Sequence, residues 1–169
     1  MQRTASDDER LTTVGLLFES AAGLRRVFER RLEAERSLSN QSFDVLIRLA
    51  RTPGGELRMS ELAAQTSLTP SGLTRSVDRL NQQGLVDRRT CPEDRRGAFA
   101  VLTPAGQELM DRAIPDHVAH VNEVLSDLFT SEEEATLASL LRRLRDHLYD
   151  RGAEWGLTPE DTEICDGGG

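Results

Sequence analysis

Ser71, Thr74, Arg75, Asp78 and Arg79 recur at spacings of three and four, so on a helix they share one polar face. Their chemistry is donation without covalency. Two hydroxyls and two guanidinium forks suit phosphate oxygens and the edges of bases, and a guanidinium can donate twice to one guanine. Ser71 and Gly72 are small, which permits close approach, and Thr69 before Pro70 is a helix start that leaves unpaired N–H groups facing outward. Within this set Arg75 is expected to read a base edge, Ser71 and Thr74 to bond base or phosphate, and Arg79 to hold a backbone phosphate. Asp78 is expected to orient Arg75, three residues away, or its neighbour Arg79.

A second group of arginines follows. Arg88 and Arg89 precede the run Cys91-Pro92-Glu93-Asp94-Arg95-Arg96-Gly97, whose turn formers and charge read as an exposed hairpin tip. At such a tip Arg95 and Arg96 suit a narrow minor groove, Arg88 and Arg89 suit the flanking backbone, and Asp94 steers an arginine and fixes the turn. Between Arg58 and Val101 seven arginines face five acids, a balance of +2 inside a chain whose net charge is −8. Positive charge is thus concentrated in the middle third. That all 21 basic residues are arginine fits a biased codon usage and carries no functional weight.

These groups need elements to position them. Leu11, Leu16, Leu17, Ala21, Leu24, Val27, Phe28 and Leu32 set a helical period that continues to about Glu35. Ser39 is placed to cap a second helix containing Phe43, Val45, Leu46 and Leu49, ended by Pro53-Gly54-Gly55. Ser60 is placed to cap a short third helix with Leu62 and Ala63. The fourth runs from Pro70 to about Gln83, with Leu73, Val77 and Leu80 inward and Gly84 as its terminator. Residues 85–89 and 98–102 then change period and read as two strands, a small wing of two or three strands. Thr103-Pro104 opens a helix toward Leu128 with Pro115 inside it. Ser131 with Glu134 fits a capping box for the last helix, where Leu137, Leu140, Leu141, Leu144 and Leu148 form a stripe that needs a partner.

The fold expected is therefore mainly α with a small β wing, a winged helix-turn-helix. Residues 1–9 read as a flexible start, 10–35 and 104–148 as a helical dimerisation region, 36–103 as the DNA-binding region, and 149–169 as a disordered tail. Leu11, Leu16 and Leu17 at one end and the terminal leucine stripe at the other are expected to bury each other across a two-fold axis.

At this point the sequence resembles the MarR family of bacterial regulators. The resemblance rests on Leu62-Ala63, Leu68-Thr69, Thr74-Arg75-Ser76-Val77-Asp78-Arg79-Leu80, Gly84-Leu85-Val86, Arg88, Pro92-Glu93-Asp94-Arg95-Arg96 and Leu102-Thr103-Pro104-Ala105-Gly106. It is dense over 58–106 and extends across about 10–148. The resemblance implies a triangular homodimer with intertwined terminal helices, each recognition helix in a major groove and each wing beside a minor groove. It also implies a pseudo-palindromic promoter site on double-stranded DNA, repression, and release by a small aromatic or phenolic effector or by thiol oxidation.

Phe18, Phe43, Leu46 and His117 are the linings expected for an effector pocket, although each also suits an ordinary core. Cys91 sits among arginines that would lower a thiol pKa. Thiol-sensing members of the family carry their cysteine in the first helix, where this chain has none, so an oxidation switch at Cys91 would be a departure. His117, His120 and Glu123 on one helix suggest a metal edge or a pH-sensitive pair, but no complete metal set is present and no cofactor is expected. The charged N-terminus and the lack of an 18-residue apolar run lead us to expect a cytoplasmic protein with no membrane partner. A non-DNA-binding interaction module on the same dimeric fold remains the alternative, favoured by the acidic total. No nucleophile and base come together to suggest an enzyme.

Overall fold

A computed structural model describes residues 8–66, 68–90, 98–151 and 154. The chain divides into two units, 1–40 and 41–169. The first is α1 (Glu9–Arg36), begun by the Asp8 carboxylate accepting the Arg10 amide at 2.9 Å and ended by Ser37 in the left-handed region at φ 53°. The chain after it folds back on α1. Leu38 N donates to Leu32 O, Asn40 N donates to the Glu29 carboxylate at 2.8 Å, and Asn40 Nδ2 donates to Arg25 O at 2.7 Å.

Helix α2 (Asn40–Arg51) leads through a 3-10 turn, Pro53–Gly55, into β1 (Glu56–Arg58), then α3 (Met59–Gln65) and α4 (Pro70–Gln82). Strands β2 (Val86–Thr90) and β3 (Ala98–Leu102) follow, then α5 (Pro104–Leu125) and α6 (Ser131–Asp150). The sheet has the order β1-β3-β2, antiparallel throughout, with Arg58 and Arg89 both opposite Phe99. The wing therefore has three strands, and its third comes from before the helix-turn-helix. Helix α3 packs on β1 and β3, and α4 on β2.

Periodicity explains what is buried. Val45, Leu46 and Leu49 of α2, Leu62 of α3, Leu73, Val77 and Leu80 of α4, Val86 and Ala100 of the sheet, and Met110 and Ala113 of α5 are all buried. On the sheet, Leu57, Ala100 and Val86 alternate inward while Glu56, Asp87 and Arg89 remain outside, as period-two side chains must.

Two helix starts differ from expectation. Ser60 lies inside α3, because β1 turns directly into the helix and the boundary falls on Arg58, whose amide donates to the Glu61 carboxylate at 3.1 Å. The last helix is capped one residue earlier than Ser131. Thr130 Oγ1 accepts the Glu133 amide and the Glu133 carboxylate accepts the Thr130 amide, a reciprocal capping box. Helix α5 stops at Leu125 and turns over 126–128, short of Leu128. It runs on through Pro115, and no helix among the described residues is long and apolar enough to cross a membrane.

Candidate nucleic-acid interface

Thr69 has extended backbone and its hydroxyl accepts the Gly72 amide at 3.2 Å, so α4 begins where the cap-then-proline signal put it. Around that start the polar groups are internally arranged. Thr69 Oγ1 and Ser71 Oγ are 3.3 Å apart, Thr74 Oγ1 donates to Pro70 O at 3.0 Å, and Arg75 Nε donates to Ser71 O at 3.3 Å. Occupying Nε on the helix's own backbone leaves the Nη hydrogens of Arg75 as its outward donors. Ser71, Thr74, Arg75 and Arg79 are exposed on the helix face opposite Leu73, Val77 and Leu80. A polar face over an anchored apolar face is what insertion into a groove requires.

Asp78 orients neither Arg75 nor Arg79 by a bond of its own in this structure. Its Oδ1 accepts from Arg88 Nη1 at 2.6 Å, joining α4 to the first strand of the wing. The sequence offered only neighbours along the helix, whereas the actual partner returns through the Gly84 turn. Asn81 Nδ2 makes a second tie, to Val86 O at 2.9 Å. Gly84, at φ 71°, ends α4, and Leu85 N donates to Leu80 O across it. Arg89 pairs with Glu56, a link from β2 to β1 over β3. Arg88 and Arg89 are thus held at the wing base by acids on two different elements.

Sequence reasoning counted Arg58 in the basic stretch without giving it a place. Its guanidinium lies over the Phe99 ring at 5.0 Å from the centroid, a cation–π contact. Arg58, Phe99 and Arg89 form one cross-strand row of the sheet. The only available signal was Phe99 amid a short apolar strand, and its partner strand is too brief to announce itself. Asp94, Arg95, Arg96 and Cys91 lie outside the described residues, as do residues 152, 153 and 155–169 of the tail.

Of the residues expected to meet an effector, Phe43 and His117 come together, with ring centroids 4.6 Å apart and planes tilted by 48°. Leu46 has no exposed surface and belongs to the core, and Phe43 is nearly as buried. Burial, and then the charge of His120, hold the His117 imidazole below its ordinary pKa. Phe18 belongs to the first unit, where it is 70 % exposed. Among the described residues no group of three His, Cys, Asp or Glu could hold a metal ion.

The leucines expected at an interface stand out on both units. Leu11, Leu16 and Leu17 are exposed on α1, and Leu137, Leu140, Leu141, Leu144 and Leu148 are exposed along α6, Leu140 by 52 %. An open cleft of about 450 Å³ lies beside the α6 stripe, lined by Thr130, Glu132, Glu133, Thr136, Leu137 and Leu140.

Two helices joined by a tight turn, the second presenting an arginine-bearing polar face and tied to a three-stranded wing, define a winged helix-turn-helix DNA-binding protein. Known proteins agree. The sequence model of the MarR family matches residues 37–97. The chain is 33 % identical over 141 residues to the HTH-type transcriptional regulator PecS of Dickeya dadantii, covering 83 % of this chain and 80 % of that protein. It is 28 % identical over 132 residues to the HTH-type transcriptional repressor YetL of Bacillus subtilis, covering 78 % of each. Its fold matches the crystal structure of Sco3205, a MarR family transcriptional regulator from Streptomyces coelicolor in complex with DNA, at a TM-score of 0.76 and 33 % identity, over 88 % of this chain and 91 % of that one. The chain belongs to the MarR family and is a DNA-binding transcription regulator.

Proposed function

We propose that this regulator is a homodimeric repressor that occupies a pseudo-palindromic operator on double-stranded DNA and leaves it when a small aromatic or phenolic effector binds. The observation that carries the reading is the exposed face of α4. Ser71, Thr74, Arg75 and Arg79 stand over a buried leucine-valine base, and Asp78 locks that helix to the wing. Thr69, Gly72 and Asp78 support the face, Arg75 reads a base edge, and Arg79 holds phosphate. Arg88, Arg89, Asp94, Arg95 and Arg96 make the wing the second contact, in or beside a minor groove.

The exposed leucines of α1 and α6 support dimerisation, since apolar stripes of this length rarely face water on a finished surface. A two-fold axis would place two recognition helices about 34–36 Å apart, one turn of DNA. The similarity to YetL, a repressor, supports repression, and the tilted ring pair of Phe43 and His117 supports an aromatic effector, because such a pair offers a further ring apolar and edge contacts.

The test is fluorescence anisotropy of the purified protein with a labelled fragment from its own upstream intergenic region, with random competitor DNA and a salt series. Saturable binding that survives competitor, and release by a panel of substituted phenols and benzoates, is the expected result. Failure on that fragment and on fragments selected genome-wide would sink the operator reading and favour an interaction module.

A further inference from the structure

The link between the recognition helix and the wing is three residues long, Gln83, Gly84 and Leu85, and the first turn of α5 is wedged against its last two. Thr103 Oγ1 donates to Gly84 O at 2.7 Å, and Thr103 N donates to Leu85 O at 3.1 Å. The same hydroxyl accepts the Gly106 amide at 3.0 Å and so caps α5. A hydroxyl has one hydrogen and two acceptor sites, so Thr103 can serve the link and the cap together. Valine, of the same shape, could do neither.

Gly106 makes the approach possible. A Cβ built on it would lie 2.2 Å from Leu85 O and 2.7 Å from Leu102 Cδ1, where real Cβ atoms stay beyond 3.0 Å. The side chain of Leu102 has freedom to give way, but the Leu85 carbonyl is backbone and is already committed to Thr103 N. Any side chain at 106 must therefore push the link, and with it the departure of β2 from α4, by most of an ångström. The far side of the link is equally held, by Leu85 N on Leu80 O and by Asn81 Nδ2 on Val86 O, both at 2.9 Å. A push from α5 is thus passed to α4 and to the wing together, because the link is bonded to both.

The geometry points to Thr103 and Gly106 as positioning residues for DNA recognition: the first turn of α5 sets the angle at which the wing leaves the recognition helix. Neither residue has a side-chain donor left to offer a DNA phosphate, since Gly106 has no side chain and the Thr103 hydroxyl hydrogen is given to Gly84 O. They act through Gly84 and Leu85 of the link, and the Asp78–Arg88 bond is the contact a change of that angle would stretch first. This role rests on the sequence-specific binding proposed above.

Thr103→Val, Thr103→Ser and Gly106→Ala in the full chain test it, each at a temperature where its own melting curve shows it folded. Affinity is measured on the upstream fragment and on random DNA, and hydrogen exchange is followed at the Leu85 and Thr103 amides. Thr103→Val and Gly106→Ala are expected to lower the ratio of specific to random affinity by about tenfold, a fraction of the usual specificity range. Thr103→Ser restores the ratio, because it keeps the hydroxyl. Exchange at Leu85 should accelerate in the first two variants and stay at the wild-type rate in the third.

Folded Thr103→Val and Gly106→Ala chains that keep the wild-type ratio would overturn the positioning role, whatever their melting temperatures or exchange rates. Should the wild type itself show no preference for any fragment, the operator reading falls and this role falls with it. The two failures are told apart by which protein shows them.

Discussion

Arg88 Nη1 lies 2.6 Å from Asp78 Oδ1, so the surface that carries the recognition arginines is fastened to the wing by a bond between unlike charges. Both side chains are part-exposed, 39 % and 46 %, and an ion pair in that setting adds at most about 1 kcal/mol to stability. Its value lies in geometry. We expect Arg88→Asp and Asp78→Arg each to weaken operator binding with little change in thermal midpoint, and the double exchange to recover a large part of the loss. A double-mutant cycle on operator affinity with no coupling between the two positions would show that the bond holds nothing in place.

Arg75 and Arg79 share a face but are assigned different work. Arg75→Ala should cost about 1–3 kcal/mol of discrimination at one base position and leave random-sequence affinity nearly intact. Arg79→Ala should weaken all sequences alike and lower the slope of log affinity against log salt by about one. Competition with single-base operator variants separates the two. If both substitutions gave the same uniform loss, Arg75 would be another phosphate contact.

Leu141→Glu and Leu144→Glu place charge in the exposed stripe of α6. The expected product is a folded monomer by analytical ultracentrifugation, with operator affinity reduced by about 10²–10⁴, because each recognition helix then binds its half-site alone. An unchanged sedimentation coefficient would remove α6 from the interface.

His117 has a depressed pKa in the folded chain, held down chiefly by burial and secondarily by His120. The unfolded chain takes up its proton near the ordinary histidine value of about 6.5, while the folded chain resists it until a lower pH. The stability that neutral His117 contributes is therefore fully present above about pH 6.5 and is lost as pH falls from there through the folded value. Urea midpoints should drop between about pH 7.5 and about pH 5, on either side of the ordinary histidine value, in the wild type and drop less in His117→Gln. Parallel curves for the two proteins would place the acid sensitivity elsewhere.

Much of the interface was readable because it is built from local signals. Thr69-Pro70 starts α4 and Gly84 ends it, and the apolar positions between them are those that are buried. The change from a three-to-four spacing to short apolar runs revealed β2 and β3. What stayed hidden depends on distance in space. A three-residue strand shows no alternation, so β1 was not foreseen as an element of its own. The partner of Asp78 arrives through a turn, and the crowding at Gly106 exists only once α5 lies against Leu85. The capping residues Arg58 and Thr130 each differ from expectation by a small step, because several polar residues near a helix start can serve and the backbone path chooses among them.

The pairing of β1 with β3 has a consequence for how the molecule comes into being. Glu56 meets Val101 and Arg58 meets Phe99, so the sheet closes a loop that contains the whole helix-turn-helix. Such a long-range closure costs chain entropy before it returns any contact, and pairings of this kind are slower to form than local ones. During synthesis, α3 and α4 emerge and can coil before β3 exists, but they cannot be locked against a finished sheet until residue 102 has left the ribosome. The newborn chain can therefore coil its recognition helix before the sheet that fastens it is complete, and α5 and α6 follow after both.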